Sequence, residues 1–183
     1  MNRIILFGIL SAPVLIISWK TMFSLKTHGL YRFLSWECIL WLFASNYTYW
    51  FTDAFSPCQV ISWIFLFTSG YLVVAGAVTL KKRGKPGKNE RESSTLYGFE
   101  QTSRLVDTGI YKYIRHPLYS SLLFLTWGIF FKNPTVLLLL ISVLSTLFLY
   151  LTALFDEKDC IRVFGDSYRG YMKRSRRFVP FIV

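Results

Sequence analysis

The chain is poor in the residues that hold metals or staple small folds. Its 183 residues include only three cysteines and two histidines. Cys38, Cys58 and Cys160 are scattered, with no CxxC pair and no His/Cys cluster, so neither a zinc site nor a disulfide framework is supported. His28 and His116 alone leave no material for a histidine-rich metal centre. No glycine-rich phosphate loop of the Walker or Rossmann type occurs, so nothing indicates a nucleoside triphosphate or a dinucleotide. Internal repeats and low-complexity tracts are absent too. Acidic residues are few, ten against 21 lysines and arginines. In a soluble protein the resulting charge of +11 would point to nucleic acid.

Hydrocarbon is what the chain has in quantity. It is 53% hydrophobic and 19% aromatic, with a mean hydropathy of +0.40, against roughly 45–50% apolar residues in soluble domains. Apolar segments run from Ile4 to Trp19, Phe33 to Phe51, Val60 to Leu80, Leu118 to Phe131 and Thr135 to Phe155. A membrane-spanning helix needs about 20 apolar residues. These segments predict an all-α integral membrane protein with five transmembrane helices. Lys132, Asn133 and Pro134 join the last two spans as a tight helical hairpin, and a C-terminal amphipathic helix follows. Pro13 is expected to kink the first span. The alternative for that segment is a signal peptide, with Arg3 as its basic start and Ser11-Ala12-Pro13 as small residues.

Charge supplies an independent check. If segments 20–32, 81–117 and 156–183 face the cytoplasm, they hold 19 of the 21 basic residues, leaving Arg3 and Lys132 on the other side. That asymmetry places the N-terminus outside and the C-terminus in the cytoplasm, and it accounts for the net charge without nucleic acid. The expected organisation is one membrane domain over 1–183, made of three N-terminal spans (1–80), a cytosolic loop (81–104) and a ligand-binding core (105–183).

The loop 81–104 is the one long polar stretch. It reads either as a connector anchored to anionic lipid through Lys81, Lys82, Arg83, Lys85 and Lys88, or as a flap over the core. Ile161, Phe164, Tyr168 and Tyr171 recur at three- and four-residue spacing. They predict a membrane-lying helix interrupted near Gly165, with Lys173, Arg174, Arg176 and Arg177 facing lipid phosphates. Asn46, Tyr47, Tyr49, Trp50 and Trp63 read as an interfacial belt, and Gly70, Ala75 and Gly76 as small residues for close helix packing. His28 reads as a surface residue of a short basic loop. Glu37, about one turn inside the second span, is a functional candidate because carboxyls in membranes are costly, but it is close enough to the cytoplasmic end to reach headgroups, which is the favoured reading.

The chemistry concentrates between Leu105 and Ser121, LVDTGIYKYIRHPLYSS. Gly109 permits a turn, and Pro117 suits the first turn of a helix, which puts His116 near the N-cap. That helix end attracts anions, and Arg115 adds a two-pronged donor for carboxylate or phosphate. The hairpin brings Asp156 and Glu157, closing the fifth span, to the same end. An ordinary interfacial ion pair is the plain reading of this meeting, and a ligand site is the functional one.

At these residues the chain resembles the isoprenylcysteine carboxyl methyltransferase family, part of a wider membrane group that includes phospholipid N-methyltransferases. The first signature is G-I-Y-K-Y-I-R-H-P-L-Y, from Gly109 to Tyr119. The second is the acidic pair Asp156-Glu157, then Phe164-Gly165, Tyr168, Tyr171, Arg177 and Phe178-Val179-Pro180. The resemblance implies an S-adenosylmethionine-dependent methyltransferase with Tyr111, His116, Tyr119 and Glu157 contacting the cofactor. Leu105 and Val106 would pack on its adenine, while Arg115 or Arg177 would orient an acceptor carboxylate. The acceptor implied is a lipophilic small molecule or a lipid-modified group, methylated on a carboxylate, or alternatively on a phospholipid amine or a thiol. Two departures leave that choice open: the acidic pair begins with Asp156, and GKPGKNERESSTLYGFEQ replaces the Gly-x-x-Trp-Ser type of sequence before Leu105. Readings of other classes are a sterol-type NADPH reductase and a lipid-binding protein without catalysis. Leu118 and Ser120-Ser121 stand where such reductases carry Asn and an acidic residue.

Overall fold

The computed structural model describes residues 2–22, 29–84 and 104–180. His28 and most of the polar loop, 85–103, lie outside the described residues, and so does the loop's role as flap or anchor. Five α-helices account for most of the rest: α1 Arg3–Met22, α2 Gly29–Asn46, α3 Pro57–Arg83, α4 Pro117–Phe130 and α5 Val136–Arg174. Two short 3-10 turns, Tyr47–Tyr49 and Gly109–Lys112, precede α3 and α4. No β-strand is formed among the described residues beyond one isolated bridge.

Local chemistry sets the helix starts. Ser56 Oγ accepts from Gln59 N at 3.4 Å, with Pro57 in the first turn of α3. Thr135 Oγ1 accepts from Leu138 N at 3.3 Å and starts α5 directly after Pro134. α4 begins at Pro117 with His116 as its cap residue, as the sequence predicts.

α3 and α5 are each long and apolar enough to cross a membrane, whereas α1 and α4 carry shorter apolar stretches. The bundle exposes large hydrophobic side chains and buries small hydroxylated ones beside its apolar core. Phe67, Val74, Leu140 and Leu147 are exposed, while Ser35, Ser62, Ser120, Thr126, Ser142, Ser145 and Thr152 are fully buried. Small hydroxylated residues at helix interfaces let backbones approach and bond across them, the pattern of helices packed in lipid. Ser62 Oγ donates to Gly128 O at 2.6 Å and Ser69 Oγ to Ser121 O at 2.7 Å, joining α3 to α4. A Cβ on Gly128 would lie 2.9 Å from Leu66 Cδ2, and one on Gly76 would lie 3.1 Å from Leu118 Cδ2. Gly76 therefore packs closely as expected. Gly70 does not, because a Cβ there would meet nothing within 4 Å.

The C-terminal helix follows the apolar part of α5 with no loop between them, and it is interrupted at Gly165 as expected. There φ is 55° and ψ is −130°, a non-helical conformation that suits a residue without a Cβ and divides α5 into two helical stretches. At the far end, three of the residues expected as an interfacial belt have partners within the protein. Asn46 is completely buried and donates to Ile129 O at 2.8 Å. Trp50 and Trp63, both half-buried, put their ring faces around the Lys132 ammonium, 5.2 and 3.7 Å from their centroids. Their partner is inside the protein. Glu37 is joined to α1, accepting from Ser11 Oγ at 2.7 Å.

Candidate functional site

The segment before α4 and the chain after α5 form one unit at the end of the bundle opposite Lys132. Gly109, with φ +63°, makes the turn; a Cβ there would lie 3.1 Å from Thr79 Oγ1 on α3. The chain then runs alongside the C-terminal tail as a short parallel pair. Arg115 N donates to Arg176 O at 2.7 Å, His116 N to Arg177 O at 3.2 Å, and Arg176 N to Tyr113 O at 3.0 Å. Tyr171 Oη donates to Tyr111 O at 2.6 Å, and Ser120 Oγ to Phe178 O at 2.8 Å. Two segments far apart in sequence are thus fixed to each other by backbone bonds.

Glu157 sits at the centre of this unit. Its Oε1 accepts from Arg115 Nε at 2.9 Å and Arg177 Nε at 3.1 Å, and its Oε2 from Arg177 Nη2 at 2.8 Å. His116 Nε2 lies 3.4 Å from Glu157 Oε1, and its Nδ1 lies 3.4 Å from Asp156 Oδ2. Arg115 also donates through Nη1 to Met172 O at 3.2 Å and to Ser175 O. The Arg177 guanidinium rests 4.9 Å over the Tyr150 ring. Both arginines that the resemblance assigns to an acceptor are therefore engaged by a carboxylate of this chain. Arg177 also turns inward rather than toward lipid phosphates.

The electrostatics follow from burial set against partners. Burial opposes ionisation of Glu157, but His116, Arg177 and Arg115 overcome it and hold its carboxyl well below the usual range. For His116, burial pushes the imidazole pKa down; hydrogen bonds that its ring donates to Asp156 and Glu157 outweigh it, so the net direction is upward. Burial drives the phenols of Tyr168 and Tyr171 far above ordinary tyrosine.

A cavity lies beside this cluster. Leu80 on α3 forms part of its wall, with Leu105, Val106 and Tyr111 from the preceding segment and Arg115, His116, Leu118 and Tyr119 around the start of α4. α5 closes it with Asp156, Cys160, Phe164, Tyr168 and Tyr171. Of the residues singled out in the sequence, Leu105, Val106, Tyr111, Arg115, His116 and Tyr119 line it. Glu157 and Arg177 stand behind the wall. The cavity carboxylate is Asp156, one residue earlier and so about 100° away around the helix. The signal for it was present in the spacing. Asp156, Cys160, Phe164, Tyr168 and Tyr171 follow one another at four, four, four and three residues, one face of a helix. The stripe read as membrane-facing is in large part this cavity wall: Tyr168 and Tyr171 are buried, and Phe164 and Ile161 pack against them.

The wall suits an adenosyl compound. Leu105, Val106 and Phe164 offer apolar surface for a base, Asp156 an acceptor for hydroxyls or an ammonium, and His116 with the start of α4 positive charge for a carboxylate. Among the described residues no group of three or more His, Cys, Asp or Glu could hold a metal ion.

Comparison with known proteins agrees with that chemistry. The phospholipid methyltransferase family pattern matches residues 60–167. Methanethiol S-methyltransferase of Pseudomonas deceptionensis is 32% identical over 71 residues, 39% of this chain and 26% of that protein. Methanethiol S-methyltransferase 1 of Bradyrhizobium diazoefficiens is 31% identical over 87 residues, 47% of this chain and 30% of its own length. The match thus spans less than a third of either relative's length. No solved structure matches the chain.

Proposed function

This chain belongs to the phospholipid methyltransferase family, and from that premise we propose that it transfers a methyl group from S-adenosylmethionine to a sulfur or nitrogen atom of a lipophilic acceptor. The single observation that carries the choice of atom is the engagement of Arg115 and Arg177 by Glu157. A carboxylate acceptor would need one of those guanidiniums, and taking it would strand a buried Glu157. The relatives' thiol methylation points the same way. The family match favours methyl transfer over the reductase reading.

Bound in the cavity, S-adenosylmethionine would supply an electrophilic methyl group on a sulfonium. Leu105 and Val106 hold the adenine, and Asp156 faces the ribose or the ammonium. His116 and the N-terminal end of α4 would face its carboxylate, while Arg115 stays with Glu157. Tyr111, Tyr119, Tyr168 and Tyr171 exclude water. Displacement at a methyl carbon depends mainly on approach and alignment. A thiol or ammonium acceptor must in addition lose a proton before its sulfur or nitrogen can attack. Glu157 and Arg177 act as positioning residues.

We read the chain as one multi-pass membrane domain, with the N-terminus outside and the site at the cytoplasmic face. Lys81, Lys82 and Arg83 end α3, and Lys173 and Arg174 end α5, on the side of the site, and the exposed faces of both helices are hydrocarbon. Calorimetric titration of the detergent-purified chain tests the cofactor: S-adenosylmethionine and S-adenosylhomocysteine bind and NADPH does not. Binding of neither adenosyl compound would overturn the reading. Labelled methyl transfer offered to a small thiol, an ethanolamine phospholipid and a prenylcysteine then separates the acceptors. The prenylcysteine is expected to be the poorest.

A further inference from the structure

A second recess adjoins the cavity and shares Leu105 and Val106 with it as a common wall. Its remaining lining is Lys82, Arg83, Arg104, Asp107 and Thr108, and its volume is about 340 Å³. Lys82 and Arg83 reach it from the end of α3, whereas Arg104 comes from the segment leading into the site. The two basic groups on α3 alone would be ordinary complements to a helix C-terminus. Arg104 is not on that helix, so the three cations converge on one space from two elements. Among the described residues the one carboxylate in the lining, Asp107, is paired with Arg174 at 3.5 Å, so the described lining is positive. Val78, four residues before Lys82 on α3, and Val74, one turn earlier, are exposed hydrocarbon on the helix leading up to it. A polar basic hollow beside hydrocarbon at a helix end has the two-part character of a phospholipid: phosphate above, acyl chain below.

We propose that Lys82, Arg83 and Arg104 form a phosphate-binding subsite for an anionic glycerophospholipid of the surrounding leaflet, seated against the outer side of the Leu105–Val106 wall. The occupant is a bilayer lipid rather than the methyl acceptor. It holds the segment 104–108 in place and so supports the cavity from outside. The inference rests on the membrane reading above. Its readout is lipid binding, so it can fail while methyl transfer stands, and the reverse.

The test uses the full chain, delipidated in detergent and titrated with dihexanoyl phosphatidylglycerol while native mass spectrometry counts bound lipid. The triple variant Lys82→Gln/Arg83→Gln/Arg104→Gln should bind about tenfold more weakly than the parent. A control, Lys158→Gln/Arg162→Gln/Arg169→Gln, removes the same charge from the last turns of α5, outside the recess, and should stay within about twofold of the parent. Equal weakening of both variants means a diffuse basic surface and overturns the subsite. Unchanged binding in the triple variant overturns it too. Dihexanoyl phosphatidylcholine should bind more weakly than the glycerol lipid, and millimolar inorganic phosphate should displace the latter. If inorganic phosphate alone binds as tightly as the lipid, the ligand is soluble phosphate and the lipid assignment falls. S-adenosylhomocysteine affinity, measured with and without the lipid, should rise with lipid in the parent alone.

Discussion

Both ends of the bundle bury cations, and they do so in opposite ways. At the far end the Lys132 ammonium has no acidic partner among the described residues. It donates to Gln59 Oε1 at 2.9 Å and Trp50 O at 3.3 Å and faces two indole rings. At the site end Arg115, Arg177 and His116 converge on carboxylates. Burial of Lys132 pushes its pKa down, whereas the carboxylates push those of His116 and Arg177 up. A cation held by π-faces and carbonyls is complete, and it closes the loops 47–56 and 131–135 against each other. A cation held by a carboxylate fixes that carboxylate in return. The site end can therefore keep Asp156 on a cavity wall because Glu157 absorbs the arginines behind it.

The sharpest way to break this contrast is Glu157→Gln. Two guanidiniums and an imidazolium lose their shared counter-charge in a buried setting, with an expected loss of about 3–5 kcal/mol. Thermal unfolding in detergent should show it, and a melting temperature equal to the parent's would dismiss Glu157 as the centre. Asp156→Asn should separate the two carboxylates: S-adenosylhomocysteine binding falls while the melting temperature drops far less than in Glu157→Gln. At the far end, Lys132→Ala should cost about 1–3 kcal/mol, since Gln59 Oε1 loses its donor and two rings lose their cation. Cofactor affinity should stay at the parental value; a large loss there would mean the two ends are coupled.

Acidity gives a smaller and signed test. The folded pKa of His116 lies above its unfolded value, so its contribution is complete below about pH 6.5 and is lost as pH rises through the folded value. Lys132 runs the other way. Its folded pKa is below the unfolded one, so stability rises with pH just under the ordinary lysine range. Melting curves of the parent and His116→Gln between pH 6 and 9 should differ by the loss of the falling limb. Smallest of all, Gly70→Ala should leave stability the same or slightly improved, because nothing lies within 4 Å of the added methyl.

Sequence alone determined the helical class, the place and start of α4, the tight turn into α5, and the meeting of Arg115 and His116 with Asp156 and Glu157. Each of these depends on hydrophobic run length, on Pro117 and Thr135 at helix starts, or on hairpin connectivity, all written locally in the chain. The family, too, was legible in residues 109–119 and 156–180. Only the tertiary structure decided which carboxylate faces the cavity, because neighbours on a helix differ by a rotation that no motif encodes. It alone turned Arg177 inward, placed Tyr168 and Tyr171 against the segment 105–111 instead of lipid, and set Trp50 and Trp63 around Lys132. In a chain this apolar, composition marks every aromatic and every arginine as fit for the membrane surface. Which of them instead face the interior is settled by the partners that packing supplies.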